Sequence, residues 1–119
     1  MADRLSFLDT NVLVYAHDTT DEYKHGVATN LLDELWATER AALSTQVLQE
    51  FYNAATRKFT PALSKQEARG LTIAYGQFPV IEVDLGLIAA AAQLDQDFQL
   101  QFWDALIVEA ARRIGAARV

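Results

Sequence analysis

No cysteine occurs at any of the 119 positions. That excludes disulfides, thiolate zinc sites and cysteine nucleophiles, and it makes a reducing, cytoplasmic setting the expectation. Basic residues are scarce: ten Lys and Arg stand against sixteen Asp and Glu, for a formal charge of −6. A broad, sequence-blind grip on duplex phosphates normally needs a basic surface, so that class is disfavoured. A small site whose bound cations offset local negative charge is still allowed, and an acidic surface equally suits a basic partner protein. Long apolar runs are also missing. The longest, Leu85 to Ala92, falls far short of the roughly 20 residues that cross a bilayer. Asp9 interrupts the N-terminal apolar stretch where a signal peptide's core would continue, so no membrane role is expected. Glycine-rich phosphate loops are absent, as are histidine pairs at ligand spacing and serines beside a base. His17 and His25 fall at helix positions where solvation is common.

What is present reads as one α/β domain over residues 1–119. A chain of this size buries roughly two-thirds of its unfolded surface, and 51% of its residues are hydrophobic. Leu5 to Asp9 reads as a strand and Val12 to Ala16 as a short helix. Thr19 to Glu22 has the pattern of a capping box ahead of a helix from Tyr23 to Ala37. Ala41 to Ser44 is a second strand, followed by a helix over Thr45 to Phe59 capped by Ser44 or Thr45. Ser64 and Glu67 open another helix running to about Phe78. Pro79 precedes a third strand, Val80 to Val83, and Asp84 caps an alanine-rich, buried helix from Leu85 to Phe98. Trp103 to Ile114 is the last helix, ended by Gly115, and Ala116 to Val119 begins a fourth strand. Alternating strands and helices imply right-handed crossovers and a three-layer α/β/α sandwich around a mostly parallel sheet, its last strands incomplete.

Three acids stand out by placement. Asp9 ends the first strand, where ligands gather in open parallel sheets. Glu50 lies one to two turns into the helix after the second strand, and Asp104 in the opening turn of the last helix. Each has a plain alternative: Asp9 as a helix cap, Glu50 as a solvated helix position, and Asp104 as a complement to the helix dipole. Their joint placement near one rim favours oxygen-ligand chemistry. Mg²⁺ or Mn²⁺ held by carboxylates and water can activate a water for in-line phosphoryl displacement. Lys24, His25, Arg57, Lys58, Lys65 and Arg69 could supply a few phosphate contacts, with solvated surface the default role for each.

Three segments carry a resemblance: Phe7-Leu8-Asp9-Thr10-Asn11-Val12-Leu13-Val14-Tyr15-Ala16, Ser44-Thr45-Gln46-Val47-Leu48-Gln49-Glu50-Phe51-Tyr52 and Phe102-Trp103-Asp104-Ala105-Leu106-Ile107-Val108-Glu109-Ala110-Ala111. In this order they resemble the three leading motifs of PIN domains, most closely the VapC-type toxins of bacterial toxin–antitoxin pairs. The resemblance implies a metal-dependent endoribonuclease using Mg²⁺ or Mn²⁺. Asp9 and Asp104 would be the principal metal ligands. Glu50 would complete the cluster, as a ligand through water or by orienting the attacking water, and Thr10 and Asn11 would support the pocket by hydrogen bonding. It also implies an RNA substrate, a small antitoxin protein as partner, and a homodimer. PIN domains continue into a further loop bearing another Asp or Asn near the metal, whereas this sequence stops at Val119. A non-catalytic, protein-binding or dimerising PIN-like module is therefore the alternative. A haloacid-dehalogenase-type phosphohydrolase needs a second Asp two positions after the first, and Asn11 stands there.

Overall fold

The computed structural model describes residues 5–116. Its element order is β1 (Ser6–Phe7), α1 (Thr10–His17), α2 (Glu22–Thr38), β2 (Ala41–Ser44), α3 (Thr45–Arg57), α4 (Lys65–Tyr75), β3 (Val80–Ile81), α5 (Leu85–Phe98) and α6 (Phe102–Ile114). The strands form one parallel sheet in the order β1-β2-β3. Ser6 stands opposite Ala41 and Phe7 opposite Ala42, while Leu43 faces Val80 and Ser44 faces Ile81.

Strand β2 is the centre of the molecule. All four of its residues have no exposed surface, and since neighbours in a strand point to opposite faces, both faces of the sheet are covered. That is the burial expected of a parallel sheet between helices. Helix α3 packs on β2, and α6 packs on β2 and β3. Small side chains let them approach: Ala41 and Ala42 on the strand, and Ala105, Ala110 and Ala111 on α6, are all buried.

Local chemistry sets most element ends. Ser44 is the cap of α3, its hydroxyl accepting from Val47 N–H at 3.3 Å. Ser64 and Glu67 close a reciprocal capping box at α4, and Asp84 accepts from Leu87 N–H at 2.8 Å to start α5. Gly115 ends α6 at φ 74°, in the left-handed region that favours glycine.

Several expectations need correction. The cap of α2 is Asp21, which accepts from Lys24 N–H, and not Thr19. Asp18 instead takes both the N–H and the hydroxyl of Thr20, closing a turn just before the helix. Strands β1 and β3 are two residues long, each pairing with a different half of β2, and Glu82 lies beyond β3, exposed. Helix α4 ends at Tyr75, before Phe78. Helix α5 is not a buried helix: only Leu87 and Ala91 are buried, because it packs mainly on α6. Ala116 is not in a strand, its N–H donating to the Ala111 carbonyl. The rest of the expected fourth strand lies outside the described residues.

Candidate active site

The cap of α1, helix α3 and helix α6 each deliver one acid to a common pocket of about 590 Å³. Asp9, Thr10, Asn11, Glu50 and Asp104 all line it, so the five residues singled out in the sequence meet in one place. Asp9 follows β1 and caps α1, its Oδ1 accepting from Thr10 N–H at 2.6 Å. The capping role is therefore real, and it fixes the carboxylate at the rim. Thr10 then reaches across to α3, where its hydroxyl donates to Glu50 Oε1 at 2.5 Å. That bond ties the first motif to the second, 40 residues on. Asp104 is exposed in the first turn of α6, a helix whose preceding residue, Gln101, supplies no side-chain cap.

Four further residues bear on the site. Gln46 is buried one turn before Glu50 and makes two long contacts through Nε2, 3.4 Å to Glu50 Oε2 and 3.5 Å to the Trp103 carbonyl. It thus lies between Glu50 and the residue preceding Asp104, with its Oε1 buried and unpartnered among the described residues. A polar residue four positions before Glu50, on the otherwise apolar face of α3, is the signal by which it could have been found. Asp18, Asn53 and Lys58 also line the pocket. Asn53 was readable too, lying three residues after Glu50 on one helix face, whereas Asp18 and Lys58 carry no motif. The hydroxyl and N–H of Thr20 hold the Asp18 carboxyl below its ordinary value. Among the described residues, Lys58 is the one cation on a wall that carries four carboxylates.

Beneath the rim the chemistry changes. Phe51, one residue after Glu50, has no exposed surface, and its ring meets those of His17, Tyr75 and Phe59 at centroid distances of 5.6, 5.6 and 6.2 Å. His17 is not solvated as expected. Its Nε2 lies 2.5 Å from the Tyr75 hydroxyl, and burial, aided by the charge of His25, lowers its pKa. Burial also raises the Tyr75 hydroxyl to about 12. A neutral imidazole accepting the Tyr75 O–H satisfies both groups. His25 is likewise engaged, its Nδ1 lying 2.8 Å from the Tyr15 carbonyl oxygen.

The pocket donors are carboxylates, a hydroxyl and amides, the oxygen set that hard cations take and that soft metals do not. Among the described residues, no group of three or more His, Cys, Asp or Glu stands close enough to hold an ion jointly. Magnesium is commonly held by one or two carboxylates with several waters retained, and the donor set fits that mode. A neighbouring cleft of similar size, about 530 Å³, is lined by Thr45, Leu48, Gln49, Tyr52 and Thr72 and offers neither carboxylate nor cation.

The PIN domain family matches the chain over residues 6–119. No curated protein matches it. Among solved structures it is similar to VapC20 of Mycobacterium tuberculosis, described as a Sarcin-Ricin loop cleaving toxin. The TM-score is 0.68 at 21% identity, over 92% of this chain and 83% of that one. At that identity the likeness is one of fold.

Proposed function

Since the chain belongs to the PIN domain family, we propose that it is a metal-dependent endoribonuclease, the toxin of a toxin–antitoxin pair, acting through the pocket lined by Asp9, Glu50 and Asp104. The observation that carries this reading is the meeting of three acids, from three motifs distant in sequence, in one oxygen-lined pocket. Asp9 and Asp104 would hold Mg²⁺ or Mn²⁺. When bound, such an ion stabilises charge on the phosphate and makes a nearby water more acidic. Glu50, its Oε1 fixed by Thr10, has a second oxygen with which to accept a proton from the attacking water and orient it. Asn11 contributes an amide to the same wall, able to hydrogen-bond a phosphate or sugar oxygen.

The remaining parts of the reading are partners. An apolar groove between α1 and α2 exposes Tyr23 and Val27 beside Tyr15 and Leu31, the kind of patch that marks a protein-binding surface. A small antitoxin and a second copy of the chain are the proposed partners, and the cytoplasm the proposed location. No helix among the described residues is long and apolar enough to cross a membrane.

Asn caps a helix about as well as Asp, so Asp9→Asn removes the charge and spares the cap. We expect this variant to lose Mn²⁺ binding, read by calorimetry, and RNA cleavage together. Cleavage at the wild-type rate would overturn the reading. Manganese density between Asp9 and Asp104 in a soaked crystal would support it. A wild-type chain that binds protein partners but cuts no RNA with Mn²⁺ present would instead favour a non-catalytic module.

A further inference from the structure

The chain's positive charge is unevenly placed. From Phe51 to Ile81 there are four cations, Arg57, Lys58, Lys65 and Arg69, and one acid, Glu67, a local charge of +3 within a chain of −6. Elsewhere the described cations are engaged. Arg40, Arg112 and Arg113 reach carboxylates at 3.9, 3.1 and 2.9 Å, and Lys24 lies over the Tyr15 ring at 4.9 Å. None of the four cations in the basic stretch has an ion-pair partner among the described residues.

Helix geometry places them in line with the acids. Glu50, Asn53 and Arg57 are spaced i, i+3, i+7, one stripe of α3 about 10 Å long. Glu50, Asn53 and Lys58 line the acid pocket, while Asn53 and Arg57 line the adjoining cleft with Lys65. On α4, Lys65 and Arg69 are one turn apart on the same face. The two clefts share Asn53, so a surface that begins with carboxylates continues into free cations.

Resting on the nuclease reading, we infer that this α3–α4 face is the track for a single-stranded RNA running out of the acid pocket. Arg57, Lys58, Lys65 and Arg69 engage the phosphates that flank the one being cut. On a strongly acidic chain such a local field favours holding a polyanion, and the arrangement puts it beside the acids rather than among them.

The test uses the double variant Arg57→Gln, Lys65→Gln, at two exposed positions outside the core. Binding of a short labelled oligouridine is titrated against salt in EDTA, and initial cleavage rates are measured with Mn²⁺. The expected results are binding weaker by about tenfold, a log–log salt slope shallower by about 1.4 (about 0.7 per lost phosphate contact on a single strand), and a raised KM at unchanged kcat. Equal affinity and equal slope in both proteins overturn the track and leave the nuclease reading untouched. A wild type that binds the oligonucleotide through these cations but never cuts overturns the nuclease reading and supports the track. Polyglutamate that competes as well as RNA overturns it in favour of an acidic protein partner.

Discussion

At the rim of the pocket, Glu50 and Asp104 are exposed and Asp9 half-buried, with Asp9 and Glu50 both tied to Thr10 by hydrogen bonds. One residue past Glu50, Phe51 is sealed from water and held by three rings. Rim and floor share helix α3, yet they answer to different forces. Floor residues are fixed by burial, which acts on any apolar group of the right shape. At the rim, Asp9 and Glu50 are fixed by directed hydrogen bonds that leave their charge available, and Asp104 by its place in the first turn of α6. The lesson is that buried packing and exposed charge are separable here at single-residue resolution, even along one helix.

The sharpest way to break that comparison is at the rim. Asp104→Asn should lower cleavage by about 10³-fold or more, within the range for losing a group that acts on the reacting centre. Its melting temperature should stay at or above wild type, because one of several crowded negative charges is gone. A Tm drop of the size seen for a core substitution would show that rim and floor are not separable. At the floor, Phe51→Ala should destabilise by about 3–5 kcal/mol, through lost burial and the cavity left among three rings. Urea unfolding measures it. Any variant that stays folded should retain Mn²⁺ binding, since no pocket oxygen is removed.

A smaller effect tests the polar pair within the floor. Tyr75→Phe leaves His17 Nε2 without its donor, a loss of about 1–3 kcal/mol for a buried unsatisfied group, measurable by the same denaturation. The pH dependence follows from the same residue. Folded His17 has its pKa lowered, whereas in the unfolded chain it takes a proton near the ordinary 6.5. The stability from burying the neutral ring is therefore present above pH 6.5 and lost as pH falls from there through the folded value. The urea midpoint should drop over that window in wild type, and His17→Gln should flatten the drop. The smallest change is expected far from the pocket. Asp84→Ala removes the α5 cap and the 2.9 Å pairing with Arg113. It should lower Tm slightly and raise hydrogen exchange in α5 before any other helix, with cleavage unchanged.

Much of this was legible in the amino-acid order, for a physical reason. Capping residues act within four positions, so Ser64 with Glu67, Asp84, and Ser44 as one of two candidates could be read directly. Asp9, Glu50 and Asp104 could be paired with strand ends and helix starts because a parallel sheet brings those points to one edge. What could not be read depends on neighbours. An alanine-rich α5 looks buried, yet its exposure is decided by how much of α6 it meets. His17 looks solvated until Tyr75, 58 residues later, supplies its partner. The Asp18–Thr20 turn that moves the α2 cap to Asp21 competes with a capping box that local spacing alone cannot reject.

The packing beneath the pocket has a consequence for how activity can be lost. Ala41 and Ala42 occupy the centre of the sheet with no exposed surface, and α6, which bears Asp104, rests on that strand. A methyl-sized gain at either alanine has to be absorbed by moving a helix, because closely packed interiors transmit strain. The proposed cleavage can therefore be lost two layers down, at side chains that hold no polar atom, by tilting the acid-bearing helix out of register with its fellows.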